Sequence, residues 1–356
     1  MNKPSQRAFT SAMSSKETFT DDVCTVEEPF GKALLEVARE RPDIVGLTAD
    51  LGKYTDIEVF AREFPDRFFQ VGMAEQNLVG IAAGLARAGF TPFATTYCVF
   101  ASRRAYEQIA IDVAFGRANV KIVAGLPGLT TGYGATHQGI DDLALLRAMP
   151  NIVVIDPCDA TDIQQAVHAM AEYSGPVYMR LRRARVPVVL DPKTYHFQIG
   201  AASVLRSGCD IALISTGLMT ERALYAALRL EEEDRIQASV LHVPTLKPLD
   251  VRSVVEAAGR SAIVVTLENH SLLNGLGTAV AEALQEAGLP VQLCKIGVPH
   301  QFIECGATDF LNEKYGLSPA KVLGTCRRLL GIRQAALPKP RGRFSNGRSR
   351  THSRNS

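Results

Sequence analysis

The chain has 356 residues, of which 46% are hydrophobic and 21% are charged, as expected for a soluble globular protein of about two domains. No apolar run is long enough to cross a bilayer, which argues against a helical membrane protein. The seven cysteines are scattered and form no C-x-x-C pair, so the sequence indicates neither a disulfide framework nor a zinc site. Reduced thiols in the cytoplasm are expected.

Charge is unevenly distributed along the chain. Residues 333–356 contain seven basic residues and no acidic one, which leaves 32 Lys and Arg against 37 acidic residues, a net charge of −5, for the rest. We predict a disordered basic tail at 333–356 and a disordered, Ser/Thr-rich lead-in at 1–25 without the apolar core of a signal peptide. The negative body argues against nucleic acid as the main partner.

Apolar strands alternate with amphipathic helices across residues 26–190. The predicted strands are Ile44–Thr48, Arg67–Val71, Pro92–Thr96, Val120–Ala124, Ile152–Ile155 and Val177–Leu181. The predicted helices are Phe30–Arg41, Ile57–Glu63, Glu75–Arg87, Arg103–Ala114, Ile140–Ala148 and Thr161–Glu172. This alternation predicts a doubly wound α/β domain with a mostly parallel sheet.

A second α/β domain is predicted at residues 200–332, after a Pro-containing linker at 183–200. Its predicted strands are Cys209–Ile214, Ala238–Val243, Ala262–Thr266 and Val291–Ile296. Its predicted helices are Thr220–Leu230 and Leu276–Ala287. The fold class is therefore α/β, with two consecutive doubly wound domains.

The segment from Arg67 to Gly89 carries the strongest chemical signal. A short strand leads to Gly72 and Glu75, and then to a helix made largely of Gly, Ala and Leu. Glycine lowers helix stability, so we expect another backbone to approach this helix closely. A carboxyl group beside such a dry seam would stay protonated and could donate a proton. The ordinary alternative is an acidic residue that complements the helix dipole at the start of a core helix.

This segment resembles the part of the transketolase family that carries the glutamate contacting thiamine diphosphate. Further family elements follow in the family's order between residues 28 and 330, namely Ala49–Leu51, Pro92–Arg104, Gly134–Gln138, Met149–Asp159 and Val265–Asn269. The chain is similar to the C-terminal subunit of a split transketolase, which combines a pyrimidine-binding and a C-terminal domain. Among split transketolases it looks like the apulose-4-phosphate type.

The resemblance implies a role for five side chains. Glu75 would hydrogen-bond the aminopyrimidine ring of the cofactor and so activate it for ketol transfer. Tyr97, Phe100 and Arg103 stand where the family has three aromatic residues that hold this ring, and a guanidinium group can also stack. His137 would contact the substrate.

Four other positions are candidate site residues, and the resemblance supports all of them except Lys53, which is a candidate because of its positive charge. Asp50 would lie near the cofactor, and Lys53 and Arg183 would bind a substrate phosphate. Which of four neighbouring arginines faces the site is left open; they are Arg180, Arg182, Arg183 and Arg185. Tyr133 replaces an acidic residue of many transketolases, so the usual sugar preference is in doubt.

The sequence contains no Gly-Asp dipeptide, although the family binds diphosphate and Mg²⁺ through a Gly-Asp-Gly motif in a separate domain. We therefore expect no metal ligand in this chain. A partner subunit would supply the magnesium site, and two copies of each subunit would form a heterotetramer with sugar phosphates as substrates.

Three alternatives remain. The chain also suits the β subunit of a 2-oxo acid dehydrogenase or part of a deoxyxylulose-phosphate-synthase-like enzyme, although Thr136–Gln138 favours the transketolase and synthase branch. An NAD-binding protein fits the fold pattern but lacks a G-x-G-x-x-G after the first strand. A non-catalytic paralogue is disfavoured because Glu75 and His137 are both present.

Overall fold

The computed structural model describes residues 24–331, so most of the predicted lead-in and the whole basic tail lie outside the described residues. Among residues 24–331, no helix combines the length and the apolar character that a membrane crossing requires.

Among its described residues, the first half of the chain contains eight strands, five α-helices of six or more residues and one short α-helix, Tyr106–Gln108. The strands are β1 (Thr25–Glu27), β2 (Ile44–Thr48), β3 (Phe68–Gln70), β4 (Thr91–Tyr97), β5 (Lys121–Gly125), β6 (Val153–Ile155), β7 (Val177–Leu181) and β8 (Arg185–Pro187). The helices are α1 (Pro29–Glu40), α2 (Glu58–Glu63), α3 (Glu75–Arg87), α4 (Asp142–Ala148) and α5 (Ala160–Glu172). Between β4 and β5 lies a wide helical segment with π turns at Phe100–Arg104 and Ile109–Phe115.

The second half contains six strands and five helices in the described range. The strands are β9 (Ser203–Arg206), β10 (Ile211–Ser215), β11 (Ala238–His242), β12 (Thr245–Lys247), β13 (Ile263–Ser271) and β14 (Gln292–Val298). The helices are α6 (Met219–Asp234), α7 (Val251–Ala258), α8 (Leu276–Glu286), α9 (Thr308–Lys314) and α10 (Pro319–Leu329).

Two mostly parallel sheets organise these elements. The first has the order β12-β6-β7-β5-β4-β2-β3, and all its pairings are parallel except that of β12 with β6. The second has the order β14-β13-β10-β11-β9, with β9 antiparallel at the edge. Strands β2, β4, β5 and β7 are buried throughout, as expected for a parallel sheet covered on both faces. The predicted fold class is confirmed, whereas the domain limits 26–190 and 200–332 stay a prediction.

Two pairings differ from the linear order expected from the sequence. Strand β12 belongs to the second half of the chain but completes the first sheet beside β6. Strand β8 lies inside the predicted linker and pairs with β1, so that Thr25 stands opposite Pro187. Both pairings join segments distant in sequence, which local hydrophobic patterns do not specify.

A buried arginine crosses between the two halves of the chain. Arg180 Nε and Nη2 donate to the two oxygens of Asp142 at 2.8 and 2.5 Å, and Nη1 donates to the Asn269 carbonyl oxygen at 3.2 Å. The Tyr178 hydroxyl also donates to Asp142, at 2.7 Å. Burial alone would raise the pKa of Asp142. The charge and the hydrogen bonds of Arg180 lower this pKa by a larger amount, so the net shift is downward. Asp142 is therefore a fully paired carboxylate at the start of α4.

A second buried group joins the halves through His242. Its Nε2 lies 2.9 Å from Asp162 Oδ2, and its Nδ1 lies 2.8 Å from Thr220 Oγ1. Asp162 Oδ1 accepts from the Tyr195 hydroxyl at 2.7 Å, and Cys158 lies beside this group. Both oxygens of Asp162 and both ring nitrogens of His242 therefore have hydrogen-bond partners, and this cluster links the two halves of the chain.

Candidate active site

The candidate site lies at the carboxyl edge of the first sheet, where binding sites of parallel α/β sheets form. Asp50 follows β2, Glu75 follows β3, Tyr97 ends β4, and the loop of residues 126–141 follows β5. Since β3, β2, β4 and β5 are consecutive neighbours, the topology brings these positions to one edge.

Glu75 is the first residue of α3 and is buried, with 1% of its surface exposed. Its Oε2 accepts a hydrogen bond from Arg104 Nη1 at 2.7 Å. The Arg104 side chain is half exposed, whereas the Glu75 carboxyl group is covered. The Arg104 guanidinium group therefore lies between the Glu75 carboxyl group and the solvent.

Helix α3 has one packed face and one open face. Leu78, Val79 and Ala82 are buried in the core, but a Cβ atom added at Gly80 or Gly84 would meet nothing within 4 Å. The sequence predicts a close backbone neighbour for this helix. At Gly80 and Gly84, no described residue of this chain fills that position.

Three aromatic rings surround His137. The ring centroids lie 5.5 Å from His137 for Phe100, 6.2 Å for Tyr97 and 5.4 Å for Tyr133. Tyr97 and Phe100 also pack together, with centroids 5.8 Å apart. The Thr136 hydroxyl lies 2.9 Å from His137 Nδ1. Tyr97 and Phe100, which the sequence paired as ring-holding residues, thus form one cluster with His137, which it singled out separately.

The loop of residues 126–141, which carries His137 and is called the His137 loop below, comes close to the second half of the chain at its glycines. A Cβ atom on Gly132 would lie 2.3 Å from the Gly306 carbonyl oxygen, and Gly306 N donates to the Gly132 carbonyl oxygen at 3.1 Å. Gly134 has a φ of +80° and lies against Cys305. Larger residues would push this loop away from the second half and so displace His137.

Arg103 and Arg104 point to different partners. Arg103 donates to the carboxylate of Asp141 and to the Ala135 carbonyl oxygen, so it ties the His137 loop to the wide helix. Arg104 pairs with Glu75, and its guanidinium carbon lies 4.6 Å from the Phe100 ring centre. The sequence assigned the third ring-holding position to Arg103, and that role stays a prediction. Arg104 was missed, because the three-residue spacing gives no sign of a π turn.

The predicted phosphate contacts lie at the ends of β2 and β7. Lys53 is exposed in the turn Gly52–Thr55, and the Arg183 guanidinium carbon lies 5.6 Å from the Tyr54 ring centre. Arg183 Nε is buried with no hydrogen-bond partner among the described residues. Asp50 is exposed, and its backbone N–H donates to Gln70 Oε1 at 2.8 Å.

The other three arginines of this segment are paired elsewhere. Arg180 is buried against Asp142, Arg182 lies 3.5 Å from Glu221, and Arg185 lies 3.0 Å from Glu27. In the described part of the chain, Arg183 alone of the four has no carboxylate within 4 Å. This arrangement favours Arg183 as the cation available to a substrate.

Burial raises the pKa of the neighbouring Asp56 to about 6, against an opposing hydrogen bond from the Ala184 N–H. The Arg183 charge lowers this pKa to a smaller extent. Asp56 is thus a buried acid at the end of the turn Gly52–Thr55, and it accepts a hydrogen bond from Ala184, the residue after Arg183.

Comparison with known proteins identifies both halves of the chain. The family model for the transketolase pyrimidine-binding domain matches residues 23–188, and that for the transketolase C-terminal domain matches residues 200–322. A putative uncharacterized transketolase family protein of Sinorhizobium fredii is 49% identical over 92% of this chain and 95% of its own length. An apulose-4-phosphate transketolase subunit of Phocaeicola vulgatus is 36% identical over 86% of this chain and 97% of its own length.

A solved structure described as a split gene transketolase, an inactive beta4 tetramer, has a TM-score of 0.79 and 44% identity. The match covers 86% of this chain and 98% of the solved one. The predicted resemblance is confirmed. The chain belongs to the transketolase family, of which it carries the pyrimidine-binding and C-terminal domains, and it is a subunit of the split type.

Proposed function

We propose that this chain is the C-terminal subunit of a thiamine-diphosphate-dependent split transketolase that transfers a two-carbon ketol unit between sugar phosphates. The observation that carries the proposal is the convergence of Glu75, Phe100 and His137 at one sheet edge in a chain that lacks a Gly-Asp dipeptide. When bound, thiamine diphosphate supplies a carbon nucleophile for the ketose carbonyl group.

The residues of the site fit a flat, hydrogen-bonding ring. Glu75 and Phe100 already hold the Arg104 guanidinium, which is planar and donates hydrogen bonds. An aminopyrimidine has the same two properties, so its polar edge would meet Glu75 and its face would meet Phe100. Tyr97 would support Phe100 from behind.

Two groups of residues act on the substrate in this proposal. His137, held within the aromatic cluster, contacts the oxygen of the transferred unit and is positioned to exchange a proton with it. Arg183, with Lys53 near it in the turn, binds the terminal phosphate. Tyr133 is 66% exposed beside His137 and selects among sugars. The apulose-4-phosphate type is the guide to these substrates, because the Phocaeicola vulgatus protein of that name matches 86% of this chain.

A partner chain completes the site. It supplies the diphosphate site and the Mg²⁺ ligands, and it packs on the open face of α3, where Gly80 and Gly84 leave room for a close backbone. The split gene transketolase that was solved as an inactive beta4 tetramer supports the need for that partner. We propose a two-plus-two heterotetramer in the cytoplasm.

The test compares the chain alone with the chain co-expressed with its partner, in the presence of thiamine diphosphate and Mg²⁺. Ketol transfer from xylulose 5-phosphate and the mass of the assembly are measured. The parent complex should be active, and Glu75→Gln should lower kcat by at least about 100-fold without changing the mass. Glu107→Gln, at an exposed acid of the nearby wide helix, is the matched control. Full activity of Glu75→Gln, or activity of the chain without a partner, would refute the proposal.

A further inference from the structure

Arg104 contacts two residues of the candidate site at once. Its guanidinium group makes a 2.7 Å hydrogen bond to the buried Glu75 carboxyl group and lies 4.6 Å from the Phe100 ring centre. These are the two surfaces that the proposed function assigns to the aminopyrimidine ring. The guanidinium group and the ring therefore require the same space.

The backbone explains why Arg104, and not Arg103, faces Glu75. The Ala105 N–H donates to the Phe100 carbonyl oxygen, five residues back, at 3.2 Å, which is the bond of a π turn. Such a turn holds one residue more than an α-helical turn, and π turns are frequent at functional sites. The extra residue places Arg103 against Asp141 and leaves Arg104 above Phe100.

The backbone of Arg104 is held while its side chain has room to turn. Gln76 Nε2 donates to the Arg104 carbonyl oxygen at 3.1 Å, which fixes the π turn to the start of α3. The side chain itself is half exposed, so it can rotate into solvent without breaking core packing. Glu75, by contrast, is covered and cannot follow it.

We propose that Arg104 is a place-holder: its guanidinium occupies the place of the aminopyrimidine ring in the cofactor-free chain and turns outward when the ring binds. This inference rests on the proposed function. The place-holder keeps the buried Glu75 carboxyl group paired until the cofactor arrives, since a buried carboxylate without a partner is costly. It also competes with the cofactor and so lowers the apparent affinity.

The first experiment measures the pair in the chain alone, by thermal unfolding of the parent, Glu75→Gln, Arg104→Met and the double variant. Arg104→Met should lower the melting temperature, and adding Glu75→Gln should restore most of the loss, because no buried charge is then left unpaired. The control cycle uses Glu58→Gln and Arg62→Met, which break an exposed pair of the same 2.7 Å length. Absence of coupling between positions 75 and 104 would overturn the proposal.

The second experiment measures binding of thiamine diphosphate with Mg²⁺ to the assembled complex by calorimetry. Arg104→Met should lower the Kd about fivefold, because the cofactor then no longer has to break the half-exposed pair of Arg104 and Glu75 before it binds. Arg62→Met should leave the Kd unchanged. Weaker or unchanged binding by Arg104→Met would mean that Arg104 contacts the cofactor or plays no part, and either result refutes the place-holder. Absence of binding by the parent complex would instead refute the proposed function, and the place-holder with it.

Discussion

Replacement of Asp142 by Asn tests whether the buried arginine network supports the candidate site. Asp142 accepts Arg180 Nε and Nη2 and the Tyr178 hydroxyl, and it starts the helix that follows the His137 loop. In the variant one carboxylate oxygen becomes an NH₂ group directed at another donor. Arg180 then remains buried with its principal counter-charge removed.

The expected cost follows from the geometry of the pair. Removing one partner of a buried ion pair typically costs about 3–5 kcal/mol. Asp156 stays 3.4 Å from Arg180 Nη1, and with its pKa raised by burial only to about 6 it is still mostly ionised at pH 7 and compensates part of the Arg180 charge. We therefore take the lower limit, about 3 kcal/mol. At about 2–4 °C per kcal/mol for a protein of this size class, the melting temperature should fall by roughly 6–12 °C.

The neighbouring Asp141 provides the control. It pairs with Arg103 at 2.9 Å on a partly exposed surface, so Asp141→Asn should cost at most about 1 kcal/mol. Thermal unfolding of the full chain, followed by circular dichroism at pH 7, compares both variants with the parent. A loss below about 2 °C for Asp142→Asn, or equal losses for both variants, would refute the reasoning.

Three further predictions concern substrate choice, pH dependence and the tail. Tyr133→Asp should change relative kcat/KM values across sugar phosphates while leaving cofactor affinity unchanged; identical relative values would contradict it. Asp56 has a folded-state pKa of about 6 and an ordinary value of 3.8, so its contribution to stability is complete below pH 4 and disappears as the pH rises through 6. Asp56→Asn should therefore gain about 3 kcal/mol over the parent between pH 4 and 7 in urea unfolding, and parallel curves would refute this. Deletion of residues 333–356 should leave the activity and the number of subunits in the assembly unchanged, as measured by kinetics and light scattering.

The sequence predicted best where burial and periodicity act locally. Strands β2 and β7 and helix α3 have the predicted limits, because each consists mostly of apolar or small residues between polar or turn residues. Glu75, Tyr97 and His137 were singled out by the family resemblance, and the strand order of the structure then places them at one edge of the sheet.

The remaining features depend on contacts that the local pattern does not encode. The sequence predicted a helix from Arg103, whereas the wide helix begins at Phe100 with a π turn, and this turn decides which of two adjacent arginines reaches Glu75. The sequence could not show that Arg183 is the arginine available to a substrate. Its neighbours are paired with the distant residues Asp142, Glu221 and Glu27, and only the fold brings these carboxylates close.

The crossing of β12 into the first sheet has a consequence for the order of folding. Domains often fold one after another as the chain leaves the ribosome. Here β6 keeps an unpaired edge until Thr245–Lys247 has been synthesised, since β12 is its outer neighbour. Such an open edge can capture a strand from another nascent chain. The first half of this protein is therefore completed only together with the second.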